Sequence, residues 1–220
     1  MKHSRRLPSF DPAVFAREIR VRSPVPLADP AVEALWHHYQ ELERWSPRLA
    51  LIGPGSAGEV LDRHFGEALA ALPLLPPVSR ETGDAGPLLD VGSGAGFPGL
   101  VLAAVRPDLS VTLVEPRQRK WAFLKAAARN ASLPCRCLDV RVGLPLPEGI
   151  PEVLDVVTVR ALKLPAEVLA ALAARLGPAG RFLLWVGREV PGLPPGLEVA
   201  RFVPLPGSEH RRSGGVRLID

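Results

Sequence analysis

The feature that most constrains this chain is its glycine-rich segment, residues 88–99. A short apolar run ends at Asp90, and glycine then occupies alternate positions from Gly92 to Gly96. Residues compatible with a helix begin at Leu100, so the segment is typical of a strand, a tight turn and a helix. Glycines allow positive φ angles and let a ligand approach the backbone, and the start of the helix offers free N–H groups. The segment therefore predicts a cofactor-binding turn, because packing alone would not require so many glycines.

Two acidic residues flank this turn and help to choose the cofactor. The spacing from Gly94 to Gly99 matches G-x-G-x-x-G, so the pattern alone also permits a dinucleotide. Glu115 ends the next apolar run, about 20 residues later, where a carboxylate can accept the two ribose hydroxyls of an adenosine. Asp90 can lie near the ammonium and sulfonium charges of a methionine group. The pair favours S-adenosyl-L-methionine over NAD, and no Tyr-x-x-x-Lys pair follows to support hydride transfer.

Length and composition bound the remaining possibilities. The chain has 220 residues, 47% of them hydrophobic, which is enough for one domain with a substantial core. It contains no run of about 18 apolar residues and no signal-peptide core, so we expect a cytoplasmic protein with no membrane partner. Cys135 and Cys137 share one strand face and are expected to be core residues in a reducing compartment. Because a lone C-x-C pair is a poor ligand set, no metal site is expected.

The excess of positive charge is the one feature of the composition that suggests a phosphate-bearing partner. The formal net charge is +4 and the isoelectric point is about 9.6. Basic residues gather in residues 1–22 and again in residues 201–217, and such ends can neutralise phosphates. The alternative is a solvated surface biased toward arginine, and charge alone leaves both interpretations open.

The composition divides the chain into three segments. The first is a basic, proline-rich arm, extended or loosely ordered, with one short helix near residues 12–20. This arm covers residues 1–28. A helical cap with its linker follows over residues 29–87, and a cofactor-binding core covers residues 88–220.

Helical periodicity is clearest in the predicted cap. Asp29 predicts the N-cap of an amphipathic helix, with proline at its first position, that ends near Pro47. A second helix is predicted from about residue 57 to residue 72. Prolines and glycines over residues 73–87 predict a linker.

Strand and helix patterns alternate through the predicted core. The predicted strands are 88–91, 111–115, 135–140, 154–159, 181–186, 198–203 and 215–219. The predicted helices are 98–106, 117–131 and 164–176. Such alternation predicts an α/β fold with a doubly wound, seven-stranded, mostly parallel sheet and helices on both faces. The last two strands have no helix between them and predict an antiparallel hairpin.

This pattern resembles the Rossmann-like fold of class I methyltransferases, and the glycine turn narrows the resemblance. Residues 90–99 (DVGSGAGFPG) resemble the signature of the bacterial small-subunit rRNA guanine-N7 methyltransferase G family, also called glucose-inhibited division protein B. Four other runs agree, and the similarity covers roughly residues 32–190. They are Trp45-x-x-x-Leu49-x-Leu51, Leu61 to Phe65, Glu115 with Arg119-Lys120-x-x-Phe123-Leu124, and Thr158 to Ala161.

Departures from the family pattern concern the substrate more than the cofactor. Ser46 stands where the family usually has asparagine, and Glu67 where it usually has aspartate. Gly143 falls where an acidic residue commonly follows the third strand, and Val186 replaces a frequent lysine.

The resemblance implies a cofactor, a substrate and a set of residues. It implies that S-adenosyl-L-methionine binds to Asp90, Gly92, Ser93, Gly94, Gly96, Phe97, Glu115, Val140 and Arg141. It implies ribosomal RNA, within the small subunit, as the partner of a monomer. Arg160 is the candidate catalytic residue, and the candidate RNA-binding residues are Arg63, His64, Arg119, Lys120 and Arg160. Guanine N7 carries a lone pair and no proton, so alignment rather than a general base would drive the transfer.

Other interpretations of these residues stay open. The protein could be a class I methyltransferase for a protein or a small molecule, or a non-catalytic ribosome-binding relative. Arg160 could form a surface salt bridge, and Arg119 and Lys120 could serve solubility alone. His64 could satisfy a core contact. His38, beside the apolar stripe of the first long helix, is expected to be a surface or cap-packing residue.

Overall fold

The computed structural model describes residues 6–53, 55–77, 86–186, 193–206 and 212–218. The α-helices are α1 (Pro12–Arg22), α2 (Asp29–Trp45), α3 (Ala57–Val60), α4 (Glu67–Leu69), α5 (Gly99–Val105), α6 (Gln118–Asn130) and α7 (Ala166–Ala173). The strands are β1 (Gly86–Val91), β2 (Leu109–Val114), β3 (Arg136–Leu138), β4 (Leu154–Val159), β5 (Leu176–Val186), β6 (Leu197–Pro204) and β7 (Arg212–Leu218). Among these described ranges, no helix is both long and apolar enough to cross a bilayer.

The strands form one mixed sheet in the order β3-β2-β1-β4-β5-β7-β6. β1 to β5 run parallel to one another, while β7 lies antiparallel between β5 and β6. The mostly parallel α/β sheet predicted from the alternation is confirmed, as is the antiparallel end. The strand order reverses between β1 and β4, and such a switch point opens a crevice at the carboxyl ends of the strands.

Two apolar layers cover the sheet, one on each face. Side chains alternate along a strand, so Leu88 of β1 packs in the layer with α5 and α6, and Leu89 packs in the layer with α7. The N-terminal helices add to the first layer, whose buried members include Phe15, Tyr39 and Phe65. Helices on both faces are thus confirmed, with most of the helical mass on one side.

The N-terminal segment is more ordered than its composition suggests. The short helix predicted near residues 12–20 is present as α1, and Asp11 caps it by accepting hydrogen bonds from two backbone N–H groups. Phe15 and Ile19 are completely buried in the main core. The predicted short helix is therefore confirmed as α1, and these two apolar side chains, one helical turn apart, anchor it to the core.

Arginines of this segment are committed to ion pairs within the protein. Arg20 pairs with Asp29 at 2.5 Å, and Arg22 pairs with Asp62 at 2.7 Å and with Glu18 at 2.8 Å. Asp29 is the first residue of α2 rather than its N-cap, which is Ala28. The Asp29 carboxylate binds an arginine instead of the helix end.

The second predicted helix is interrupted. A π-helical turn, Leu61–Gly66, separates α3 from α4, and a short 3₁₀ turn, Leu72–Leu74, follows. Such π turns inside a helix occur frequently at functional sites. Here the turn carries Arg63 and His64, two of the candidate RNA-binding residues.

Strand β3 is shorter than predicted, and this changes the position of two candidate cofactor residues. It covers only three residues, so Val140 and Arg141 lie in the loop that follows it. Cys135 and Cys137 are free thiols packed against the main core, as expected. Burial raises the pKa of Cys135 to about 12, so its thiol is protonated at neutral pH.

Candidate active site

A cavity of about 750 Å³ opens at the carboxyl ends of the parallel strands, beside the switch point. It is lined by the loops that follow β1, β2, β3 and β4, together with the π turn. Predicted site residues that line it are Gly92, Ser93, Gly94, Phe97, Glu115, Val140, Arg141, His64, Lys120 and Arg160. Predicted site residues outside its lining are Asp90, Gly96, Arg63 and Arg119. The structure thus brings together ten residues from five separate parts of the sequence.

The glycines of the turn have two different roles. Gly92, Gly94 and Gly96 have φ angles of 76°, 55° and 85°, which side chains disfavour. A Cβ at Gly96 would lie 2.5 Å from Leu100 Cδ1, so this glycine allows the turn to pack against α5. A Cβ at Gly94 would meet no protein atom closer than 3.7 Å. Gly94 therefore faces the cavity, while Gly96 supports the turn from beneath.

Asp90 holds the turn and does not line the cavity. Its carboxylate is 1% exposed and accepts hydrogen bonds from Gly99 N–H at 3.2 Å and from the Thr158 hydroxyl at 2.6 Å. Burial raises the pKa of Asp90, and these hydrogen bonds oppose that shift. Asp90 thus supports the turn from within the protein, and its contact with the cofactor stays a prediction.

Glu115 lies where a ribose-binding carboxylate was predicted. It follows β2, lines the cavity, and accepts hydrogen bonds from the backbone N–H groups of Gly94 at 3.1 Å and Arg117 at 3.0 Å. Lys120 lies on the same rim, where burial lowers its pKa and the charge of Glu115 opposes that change. Each carboxylate oxygen has a further lone pair, so Glu115 can still accept hydroxyl groups.

His38 is a buried cap-packing residue rather than a surface one, and the sequence did not predict its contact with the glycine turn. Its ring is 1% exposed, and Nε2 lies 2.8 Å from the carbonyl oxygen of Ala95 in the glycine turn. A carbonyl only accepts, so Nε2 donates and the ring is the neutral tautomer with a bare, buried Nδ1. Rings of Phe65 and Phe97 pack against it. Burial lowers the pKa of His38 to about 4.

Arg160 joins the sheet to the π turn. It follows β4 and pairs with Glu67 at 2.7 Å, while the same nitrogen donates to the Arg63 carbonyl. Glu67 is buried, and Trp185 Nε1 donates to its backbone carbonyl at 3.2 Å. Arg160 therefore forms a salt bridge, but a largely buried one rather than the surface pair of the alternative interpretation, and it also lines the cavity.

The other predicted residues differ in their position relative to the cavity. The His64 ring lies 5.2 Å from the Phe97 ring at the cavity wall. Arg63 contributes its backbone carbonyl, and Arg119 is exposed on α6. Of the departures from the family pattern, Gly143 lines the cavity, whereas Ser46, Glu67 and Val186 are buried outside it.

The cavity fits S-adenosyl-L-methionine. A turn with positive φ angles lets an extended ligand approach the Gly94 backbone, and the Glu115 carboxylate can accept ribose hydroxyls. Across the part of the chain that the structure describes, no group of three or more His, Cys, Asp or Glu side chains could hold a metal ion. The sheet order, the glycine turn and the acid after the second strand together define a class I methyltransferase.

Comparison with known proteins identifies the family. The family model GidB, described as rRNA small subunit methyltransferase G, matches residues 31–190, and the chain belongs to this family. A protein of Anaeromyxobacter dehalogenans (strain 2CP-1), named ribosomal RNA small subunit methyltransferase G, is 40% identical over 78% of this chain and 76% of its own length. A relative of the same name in Myxococcus xanthus is 40% identical over 67% of this chain and 65% of its own length.

Solved structures agree on the fold. TrmN from Thermus thermophilus superposes with a TM-score of 0.50 at 21% identity, covering 72% of this chain and 53% of that protein. The antibiotic-resistance methyltransferase Kmr superposes with a TM-score of 0.50 at 20% identity, covering 63% of this chain and 89% of that protein. At these identities the likeness establishes the fold alone.

Replacing Gly94 by valine tests the cofactor turn. A Cβ at this position would not collide with protein atoms, but the valine would require a φ of 55° and would lie beside Glu115 and Lys120. A backbone cost of about 1–3 kcal/mol, together with the blocked space, should weaken S-adenosyl-L-methionine binding by more than about tenfold in calorimetry. Gly58→Ala on α3, where a Cβ meets nothing within 4 Å, is the matched control. Equal affinity in Gly94→Val and wild type would contradict this assignment.

Substituting His38 tests the support beneath the turn. His38→Gln keeps an amide N–H for the Ala95 carbonyl, whereas His38→Phe has none, so cofactor affinity should fall further in the phenylalanine variant.

The pH dependence of stability supplies a second test of His38. Between pH 6.5 and about 4, His38 is protonated in the unfolded chain but stays neutral in the folded protein. As the pH is lowered through this window, the wild-type free energy of unfolding should therefore fall by at most about 1.4 kcal/mol per pH unit, relative to His38→Gln. Urea titrations of both proteins at several pH values measure the difference. A difference independent of pH would contradict the buried, neutral histidine.

Proposed function

We propose that this protein transfers a methyl group from S-adenosyl-L-methionine to N7 of a guanine in small-subunit ribosomal RNA. The observation that carries the proposal is one cavity that joins the Gly94–Glu115 cofactor side to the cationic groups of Lys120, Arg141 and Arg160. Membership of the rRNA small subunit methyltransferase G family supports the choice of substrate. We further propose that it works as a cytoplasmic monomer on the small subunit.

The reaction requires the protein to align the two reactants rather than to transfer a proton. When bound, S-adenosyl-L-methionine supplies a methyl group that its sulfonium charge makes electrophilic. Guanine N7 attacks with a lone pair and loses no proton, so no side chain of the cavity has to act as a general base. The protein's contribution is to hold the two reactants in line, which can supply several kcal/mol.

Specific residues perform this alignment. Gly94 and Glu115 hold the nucleoside part of the cofactor, and the His38 contact to Ala95 keeps the turn in its binding conformation. Two apolar side chains of the loop after β4, Leu162 and Leu164, also line the cavity and limit the access of water to the reacting groups.

Arg160 is the residue that we propose to meet the substrate. It lies at the carboxyl end of β4, at the cavity, and Glu67 holds its guanidinium in a fixed orientation. An arginine held in this way can bind a phosphate or stack on a guanine without losing much side-chain entropy. A cationic rim favours nucleic acid over the protein and small-molecule substrates that the sequence left open.

The deciding experiment is label transfer from tritiated S-adenosyl-L-methionine to small ribosomal subunits that lack the modification. Deproteinised rRNA and a protein-only mixture serve as parallel substrates. Label in RNA that maps to N7-methylguanine supports the proposal and reveals which substrate form the enzyme requires. Cofactor binding without transfer to RNA would overturn it and favour a non-catalytic ribosome-binding protein, and label in protein would favour a protein methyltransferase.

The role of Arg160 can be separated from its structural pairing. Arg160→Ala alone would leave the Glu67 carboxylate buried without its partner, which typically costs several kcal/mol. The double variant Glu67→Gln/Arg160→Gln avoids that penalty. Its kcat should fall by about tenfold or more, because a charge-assisted contact with the substrate is lost. Its cofactor affinity should stay within about twofold of wild type. Glu67→Gln alone, which keeps the guanidinium, is the control. Unchanged turnover in the double variant would remove Arg160 from the mechanism.

A further inference from the structure

Positive charge is concentrated in one segment next to the cavity. Residues 117–141 carry seven cations against the single acid Asp139, a net charge of +6. The whole chain has a net charge of +4, so its remaining residues sum to −2. The cations are Arg117, Arg119, Lys120, Lys125, Arg129, Arg136 and Arg141. This segment comprises α6, β3 and their flanking loops.

These cations differ from other arginines in their partners. In the N-terminal segment Arg17, Arg20 and Arg22 each lie within 3.3 Å of a carboxylate. By contrast, within the described residues no carboxylate lies within 4.0 Å of a charged nitrogen of Lys125 or Arg129. Both side chains are exposed. Their charge is thus available to a partner in a way that the charge of those three arginines is not.

The geometry of α6 arranges these groups in a row. Phe123, Leu124 and Ala127 face the core, which leaves Trp121, Lys125 and the rest of the opposite face toward solvent. Arg129 follows one turn beyond Lys125, and the Lys125 Nζ lies 4.5 Å from the centre of the Trp121 ring. Since α6 begins at the rim of the active-site cavity, where Lys120 lines it, the row extends about 13 Å from that rim.

A second cavity, of about 580 Å³, lies along this row. Its polar and aromatic lining consists of Trp45, Trp121, Lys125, Arg129, Cys135 and Cys137, and its described lining includes no carboxylate. Burial raises the pKa of both cysteine thiols, so they add no negative charge at neutral pH.

One carboxylate that contacts this lining, that of Glu41 beside Trp45, is already bound by protein groups. Glu41 is 5% exposed and accepts hydrogen bonds from Trp45 Nε1 at 2.8 Å and from Asn130 Nδ2 at 2.6 Å. The second cavity is therefore lined by cations and indole rings without an available carboxylate among its described residues.

We propose that the α6 surface, formed by Trp121, Lys125 and Arg129, binds the phosphate backbone of the rRNA strand that carries the target guanine. The inference rests on the proposed function, because it assigns the strand's path outside the same active site. A strand that places one base in the cavity must continue past its rim, and the row of cations starts there. Cations combined with aromatic side chains are the usual means of binding single-stranded nucleic acid. An acidic protein segment is the competing occupant.

Charge reversal on α6 tests this path. The variant Lys125→Glu/Arg129→Glu and wild type are titrated with deproteinised small-subunit rRNA, without cofactor, at several salt concentrations. We expect the dissociation constant to rise by about tenfold or more, and the salt slope to fall by about 1.4 for two lost phosphate contacts. In the methyl-transfer assay KM for rRNA should rise, with kcat and cofactor affinity within about twofold of wild type.

A charge reversal on another helix tests whether the effect depends on position. Arg17→Glu also reverses an exposed helical arginine, but one on α1 that pairs with Glu18 at 3.3 Å. It should bind rRNA as wild type does. The milder variant Lys125→Gln/Arg129→Gln, with thermal unfolding and cofactor binding measured alongside, guards against a loss that reflects misfolding.

The outcomes separate this inference from the proposed function. If wild type binds rRNA through α6 but never methylates it, the inference stands and the proposed function fails. If both α6 variants fold and bind rRNA with the wild-type constant and salt slope, the inference is overturned. An equal loss in Arg17→Glu, no rRNA binding by wild type, or an α6 effect confined to RNA-free ribosomal proteins would overturn it as well.

Discussion

The buried carboxylate of Asp90 is the constraint on which the active site depends. A carboxylate that is 1% exposed must have its oxygens satisfied, and the partners come from two places: the start of α5 and the next strand in the sheet, β4. The carboxylate thereby ties the end of β1 to both neighbours at the switch point. It also explains Gly99, where a Cβ would lie 2.6 Å from Asp90 Oδ2. With α5 and β4 held there, the turn between Asp90 and Gly99 has little freedom, and Gly94 is directed into the cavity.

The N-terminal helices belong to the active site as much as the sheet does. His38 of α2 donates to the glycine turn from beneath, and Glu67 of α4 holds Arg160 across the cavity mouth. Trp185 of β5 in turn donates to the Glu67 carbonyl. The His38 contact is buried and the Arg160–Glu67 pair is largely buried, so each lies in a lower dielectric than water, where a broken polar contact is costly. The cofactor side and the proposed substrate side are therefore supported by the same group of helices.

The distribution of charge matters more here than its total. A net charge of +4 is modest, and the arginines at the start of the chain largely satisfy neighbouring acids. The cations beside the cavity have few such partners, and Lys120 and Arg141 line it directly. A polyanion approaching this protein would thus be attracted toward the active site, because long-range attraction follows the unpaired charges.

The sequence by itself determined the parts of this protein that depend on neighbours in the chain. Alternating strand and helix patterns predicted the mostly parallel sheet, and the glycine spacing with Glu115 predicted the cofactor side of the cavity, because backbone conformation and strand-end position are local properties. Only the tertiary structure decided where Asp90 points, that His38 supports the turn, and that Arg160 pairs with Glu67. The His38 contact joins residues that are 57 positions apart in the sequence, and the Arg160 contact joins residues that are 93 positions apart. Local periodicity cannot predict contacts over such separations. The burial of α1 was hidden in the same way, since Phe15 and Ile19 find their partners only after the chain has folded back upon itself.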